Sequence, residues 1–108
     1  MTATVIVGKR VGLALEGLSL RVAGPLTVAT APDLRRRLRE EARTDDVQMV
    51  LDLEAVTGMD ASGVAALLDA SRFIVARPGG SLTVRANPVV VRALKETGTL
   101  SAFNIWNG

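Results

Sequence analysis

The segment "VQMVLDLEAVTGMDASGVAALL", residues 47–68, decides the fold of this chain. Its first part, Val47–Leu53, is short, β-branched and apolar on both faces, which is typical of a central strand covered by other elements. Residues 54–60 predict a loop, and a helix is predicted from Ser62 to Arg77, where apolar residues recur at helical spacing. A central strand that leads into a helix in this way indicates an α/β domain.

The segments that follow supply a second strand, a further helix and a last strand. The "PGG" at residues 78–80 ends the helix, and "SLTVRA", residues 81–86, is the next strand. These elements form a βαβ unit, in which the strands are parallel and the crossover is right-handed. The stretch "NPVVVRALKETG", residues 87–98, predicts a helix with Asn87 as N-cap, and residues 101–108 can add a short strand.

The segments before residue 47 predict a hairpin and one more helix. Residues 11–26 alternate between apolar and polar, which predicts two short strands that meet at a turn near Glu16-Gly17. Residues 1–10 are either a tail or an extra strand, because their apolar run is too short to decide. The expected organisation is therefore a single domain over residues 11–108.

The predicted helix after the hairpin begins near Thr30, which we expect to be its N-cap. Asp33 follows three residues later, in an acidic variant of the capping box. Leu34, Leu38 and Ala42 form a narrow apolar stripe along the helix. Together the elements predict an α/β fold with a mixed sheet of four to five strands, packed with three or more helices.

The composition argues against most kinds of enzyme. The chain has 108 residues and contains no cysteine, histidine or tyrosine, so the usual groups for acid–base, thiol and zinc chemistry are missing. We expect no catalytic, cofactor or metal site. No apolar run reaches the roughly 18 residues that span a membrane, and no secretory signal is evident, so the expected location is the cytoplasm.

The basic residues do not require a nucleic-acid partner. The formal net charge is only +2. Four arginines cluster at residues 35–39, and no aromatic side chain that could stack on bases lies among them. Two of these arginines, Arg36 and Arg37, precede glutamates by four residues, which is the spacing of weak surface ion pairs. We therefore interpret the cluster as a solvated helix face.

The turn before the helix at residue 62 is the candidate functional site. Asp60, Ser62 and Gly63 lie where a strand ends and a helix begins, a position at which α/β sheets often place their sites. Unpaired N–H groups at a helix start favour an anion, and a serine there can cap the helix or accept a phosphoryl group. From these residues alone, a simple helix cap, a docking turn and a phosphorylation switch all remain open.

A resemblance to a known family favours a functional turn. The stretch "VLDLEAVTGMDASGVAALL", residues 50–68, is similar to the signature of STAS domains, the family of bacterial anti-sigma-factor antagonists and of the cytoplasmic tails of sulfate transporters. "RVAGPL", residues 21–26, and "PVVVRALKETGTLSAFNIW", residues 88–106, resemble the same family. The resemblance extends from about Val11 to Trp106.

The resemblance implies a role for each residue of the turn. It makes Asp60, Ala61, Ser62 and Gly63 a partner-binding turn, in which the serine or threonine that accepts the phosphoryl group directly follows the acid. Here that position is Ala61, whose methyl group cannot be phosphorylated. The loss of the phosphorylation switch is therefore expected, and Ser62 is a weaker candidate for phosphorylation because its hydroxyl is presented in a different direction.

The resemblance also implies the class of partner. The leading hypothesis is a protein-interaction module that binds an anti-sigma factor or another kinase-like protein. The alternative is a STAS subunit of a phospholipid-transport ABC complex, which would bind the transporter ATPase. Pairing of two copies stays open. A phosphorylated carboxylate at Asp52 or Asp60 is disfavoured, because that chemistry needs further acidic residues and a lysine close by.

Overall fold

The computed structural model describes residues 4–11, 16–43 and 45–106, with side chains from residue 19 onward. Strands and helices alternate after an initial pair of strands. In chain order the elements are β1 (Thr4–Val11), β2 (Glu16–Leu26), α1 (Ala31–Glu41), β3 (Gln48–Met59), α2 (Ala61–Val75), β4 (Ser81–Arg85), α3 (Pro88–Glu96), a 3-10 turn (Leu100–Ala102) and β5 (Asn104–Trp106).

The five strands form one mixed sheet in the order β1-β2-β3-β4-β5. β1 and β2 are antiparallel, whereas each of the pairs β2–β3, β3–β4 and β4–β5 is parallel. The predicted α/β fold, with a mixed sheet of four to five strands and three helices, is confirmed. The predicted βαβ unit is β3–α2–β4.

The strand order places all three helices on the same face of the sheet. Each crossover, through α1, α2 or α3, moves one strand further in the same direction, and right-handed crossovers that step in one direction put their helices on one side. The burial of the strands agrees, because every second residue is in the core. These buried strand residues are Leu20, Val22, Met49, Leu51, Leu53, Leu82 and Val84.

The opposite side of the sheet, here called the open face, has no described helix packed on it. β3 is a central strand as predicted, but its alternating burial shows that it is covered on one face and not on both. The described side chains of the open face are half-buried or exposed: Ser19, Arg21, Val50, Asp52, Glu54, Thr83, Arg85, Asn104 and Trp106.

Two predicted boundaries are wrong. β3 does not end at Leu53 but continues to Met59, because its second half pairs with the end of β2 through Pro25 and Leu26. The turn predicted at Glu16-Gly17 is also wrong, because both residues belong to β2 and pair with Val11 and Arg10 of β1. Residues 12–15, between the two strands, lie outside the described residues.

The start of α1 also differs from the prediction. Thr30 occupies the N-cap position, but its side chain makes no capping hydrogen bond. Its hydroxyl instead donates to the carbonyl of Pro25 at 2.8 Å and accepts from the N–H of Thr27 at 2.9 Å. The capping box with Asp33 is therefore absent, since the hydroxyl stabilises the loop after β2. The predicted apolar stripe of α1 is buried as expected.

The first turn of α2 packs unusually close to the end of β2. Gly63 is buried, and a Cβ atom at this position would collide with the carbonyl oxygen of Leu26 and lie 3.0 Å from Cγ of Met59. A larger residue would thus push the helix away from the strand. The glycine is needed for this intramolecular contact, which brings α2 and the loop after β2 together.

We expect Gly63→Ala to lower the free energy of unfolding by about 2 kcal/mol, because the added methyl overpacks a site that backbone atoms already fill. Gly58→Ala is the matched control. A Cβ at Gly58 meets nothing within 4 Å, so its effect should stay within about 0.5 kcal/mol. Equilibrium urea unfolding of the three proteins measures both values. Equal losses for the two variants would contradict the close packing of Gly63.

Candidate functional site

Asp60 connects two segments at the carboxyl edge of the sheet. It is the N-cap of α2, and its Oδ1 accepts from the N–H of Gly63 at 3.0 Å. Its Oδ2 accepts from the N–H of Val28, in the loop after β2, at 3.2 Å. Both carboxylate oxygens are therefore engaged within the chain, and Asp60 acts as a positioning residue for the loop and the helix start.

The Asp60 carboxylate also occupies the position at which an external anion would bind. The first N–H groups of a helix and its dipole attract negative charge, and here Asp60 supplies that charge itself. The sequence suggested that this corner could offer hydrogen-bond donors to a phosphate or to a carboxylate of another protein. In the structure the N–H of Gly63 donates to the Asp60 carboxylate instead. This N–H is therefore not available to an anion from another molecule.

The remaining predicted site residues differ in their access to solvent. Ala61, the first residue of α2, is exposed, whereas Ser62 is half-buried and Gly63 is buried. The structure thus brings Asp60, Ala61 and Ser62 to the surface of one corner. Gly63 belongs to the packing beneath it and presents no side chain to a partner.

Two exposed apolar residues join this corner from the loop after β2. Val28 is 70% exposed and Ala29 is also exposed, and the hydrogen bond from Val28 N–H to Asp60 holds their loop against the start of α2. Together with Ala61 they form what we call the apolar platform: Val28, Ala29 and Ala61. Its three side chains are small and uncharged, and the backbone beneath them is hydrogen-bonded.

Sequence reasoning missed Val28 and Ala29. A signal for them was present, because the carboxyl ends of neighbouring parallel strands meet at one edge of a sheet, and β2 and β3 are such a pair. The loop after β2 must therefore lie beside the turn after β3. Residues 27–29 fall between the predicted hairpin, which ends at residue 26, and the helix predicted from near Thr30.

The other acidic residues whose side chains the structure describes form no metal-binding cluster. Asp52 lies on the open face with its side chain 18% exposed, and its Oδ2 is 3.9 Å from a guanidinium nitrogen of Arg85. Asp46 lies at the other end of β3, where its N–H donates to the carbonyl of Pro78 at 2.8 Å. Within the described ranges, no group of three acidic side chains is arranged to hold a metal ion.

Two arginines of α1, Arg35 and Arg36, form ion pairs at its surface, whereas the ion pairs among the described residues do not include Arg37 with Glu41. Arg36 contacts Asp33 at 2.7 Å and Glu40 at 3.7 Å, and the hydrogen bond that it donates to Asp33 raises the pKa of Arg36 above its ordinary value. Arg35 reaches Asp69 of α2 at 3.0 Å.

None of the helices in the described part of the chain is long and apolar enough to cross a membrane.

Comparison with solved structures finds the same fold in regulators and in a transporter family. An anti-sigma factor antagonist from Mycobacterium paratuberculosis has a TM-score of 0.80 at 23% identity, covering 98% of this chain and 86% of that chain. The anti-sigma factor antagonist SpoIIAA, in its unphosphorylated form, has a TM-score of 0.63 at 18% identity, with coverages of 95% and 89%. A sulfate transporter family protein from Wolinella succinogenes has a TM-score of 0.67 at 20% identity, with coverages of 81% and 73%.

At these identities the structural likeness shows the fold alone. A search of curated protein sequences gave no match. The family is shown by a different comparison, in which the model of the STAS domain matches residues 9–108. This match covers nearly the whole chain, including both sides of the Asp60 corner, and the chain therefore belongs to the STAS domain family.

Proposed function

We propose that this chain is a protein-interaction module of the anti-sigma-factor antagonist type, which binds an anti-sigma factor or a related kinase-like protein. The contact is made by the apolar platform and the Asp60–Gly63 turn, and the module catalyses no reaction itself. The observation that carries the proposal is the exposed methyl group of Ala61 at the start of α2, in a turn whose backbone Asp60 holds in place.

The comparisons support this class of function. Two structures with the same fold are described as anti-sigma factor antagonists, and one of them is described in an unphosphorylated form, which implies that a phosphorylated form exists. The STAS family match covers the turn in this chain. The resemblance of residues 50–68 to the STAS signature implies that the phosphorylated side chain of such proteins corresponds to Ala61 here.

The platform explains why phosphorylation at this position would act as a switch. A phosphoryl group carries up to two negative charges, and at residue 61 it would lie next to the Asp60 carboxylate and between apolar side chains. Like-charge repulsion and the cost of desolvating the phosphate would both oppose docking. With alanine at this position the platform stays apolar, so this protein is permanently in its binding-competent state.

Ser62 does not replace the missing hydroxyl in this proposal. It is half-buried and lies one residue further along α2, where its side chain is rotated by about 100° from that of Ala61. A kinase that presents its phosphoryl donor to residue 61 would therefore find the hydroxyl of Ser62 misplaced. Ser62 remains the phosphorylation site to be tested.

We expect Ala61→Asp to reduce capture of the partner at least about tenfold, because an unpaired charge would be buried in the interface. The measurement is affinity capture from a lysate of the source organism, with the captured protein identified by mass spectrometry. Ala102→Asp is the matched control, since Ala102 is also exposed but lies in the 3-10 turn before β5, at the opposite edge of the sheet. It should leave capture unchanged.

The identity of the captured protein decides between the functions. An anti-sigma factor or kinase-like protein that is lost with Ala61→Asp alone supports the proposal. Recovery of a transporter-type ATPase instead would favour the alternative of a subunit in a phospholipid-transport ABC complex. Equal capture by all three chains would show that the platform is not the contact.

A second prediction concerns the switch. After incubation with the captured kinase-like protein and ATP, the natural chain should carry no phosphate, whereas Ala61→Ser should be phosphorylated at residue 61. Phosphopeptide mass spectrometry measures both, and the double variant Ala61→Ser, Ser62→Ala should be labelled to the same extent as Ala61→Ser. Phosphate on Ser62 of the natural chain would overturn the loss of the switch.

A further inference from the structure

The open face is unusual for a sheet whose strands are mostly parallel. Parallel sheets are normally covered on both faces, because their crossovers place helices on either side. Here β2, β3, β4 and β5 are parallel, yet all three helices lie on the same face. A broad surface at the centre of the domain is thereby left without a covering layer from the described residues.

One row of side chains crosses the open face from β2 to β5. The strand registers pair Arg21 with Asp52, Asp52 with Arg85, and Arg85 with Trp106. These four residues therefore lie side by side on neighbouring strands, about 4.8 Å apart. The order of chemical character across the sheet is cation, anion, cation and aromatic ring.

Among the described residues, the charges and the aromatic ring of this row are only partly paired. Arg85 contacts Asp52 at 3.9 Å and Glu54 at 3.0 Å, and its guanidinium carbon lies 5.1 Å from the centre of the Trp106 ring. Trp106 is nevertheless 50% exposed. Arg21 is exposed, and the ion pairs among the described residues do not include it. The two ends of the row thus offer a cation and an aromatic face to another molecule.

We propose that the open face binds a second copy of this chain, with a two-fold axis that runs parallel to the strands, between the two facing sheets and over the gap between β3 and β4. Such an axis exchanges Asp52 of one copy with Arg85 of the other. Arg21 and Trp106 lie one and a half strand spacings, about 7 Å, on either side of the axis, so they are exchanged as well.

Both kinds of exchanged pair in this row are attractive. Asp52 faces the guanidinium of Arg85 of the second copy, and Arg21 faces the ring of Trp106 of the second copy, where a cation–π contact can form. Both contacts occur twice because the symmetry repeats them. When a second copy presents the same row in the opposite direction, each cation meets either the anion or the aromatic ring. This self-complementarity favours a second copy over an unrelated protein.

The two binding surfaces are separate in space. The apolar platform lies at the carboxyl edge of the sheet, whereas the proposed dimer contact lies on its open face, so each copy in a dimer keeps its platform available. The inference does not depend on the proposed function. Since the contact is one largely polar face, we expect a weak dimer.

The test is sedimentation equilibrium of the whole chain at concentrations from about 5 to 500 μM, a range that brackets such weak contacts. The natural chain should pass from monomer to dimer over this range. Arg21→Glu should weaken self-association at least about tenfold, because two cation–π contacts are lost per dimer. Arg92→Glu is the control with the same change of charge, at a side chain on α3 that is 82% exposed. It should behave as the natural chain does.

A mixing experiment separates a direct contact from a structural effect. Trp106→Lys alone should not self-associate, because the introduced ammonium group would face Arg21 of the second copy. An equimolar mixture of Arg21→Glu and Trp106→Lys should form heterodimers, since one Arg21–Trp106 contact is kept and the other becomes an ion pair. Circular dichroism checks that each variant is folded.

Three outcomes would overturn the proposal. They are a natural chain that stays monomeric at every concentration, an Arg21→Glu variant that dimerises as the natural chain does, and a mixture that associates no better than either variant alone. The first outcome would leave the open face to a different partner. The second and third would show that any dimer uses another surface.

Discussion

The carboxylate of Asp60 is the group on which the corner of the candidate site depends. Its two oxygens accept from Gly63 in α2 and from Val28 in the loop after β2, so one side chain determines how these segments lie together. The arrangement is supported from below, where the absence of a Cβ at Gly63 lets the helix approach the carbonyl of Leu26. Thr30 supports it from the side, because its hydroxyl bridges Pro25 and Thr27. The exposed side chains of the platform are thereby held on a well-bonded backbone.

The order and type of the elements could be predicted from the sequence, since apolar spacing and the residues at helix ends report on them directly. Asn87 does cap α3, accepting from the N–H of Val90 at 2.9 Å, and the chain turns at Gly79 with a φ of +72° after α2 ends. The length of β3 could not be predicted in this way. Residues 54–59 contain a glutamate and a glycine that weaken the strand pattern, and they are extended because β2 pairs with them.

The site was predictable only in part, for a related reason. The positions of Asp60 and Ala61 follow from a local pattern of strand, turn and helix, and both lie where that pattern puts them. Whether the carboxylate of Asp60 faces outward depends on the loop after β2, which is 32 residues away in the chain. The burial of Gly63 against the carbonyl of Leu26 is likewise a contact between segments that lie far apart in the chain. Local sequence indicates where the candidate site lies, and tertiary packing determines which of its atoms are accessible.

The short outer strand β5 has a consequence for the behaviour of the domain at high concentration. Strands at the margin of a sheet expose N–H and C=O groups that can recruit strands of other molecules, and long flat margins promote fibril growth. β5 comprises three residues, Asn104–Trp106, and pairs with β4 over that length alone. A strand this short exposes few N–H and C=O groups with which a strand of another molecule can pair. The β5 edge of the described sheet therefore disfavours open-ended polymerisation.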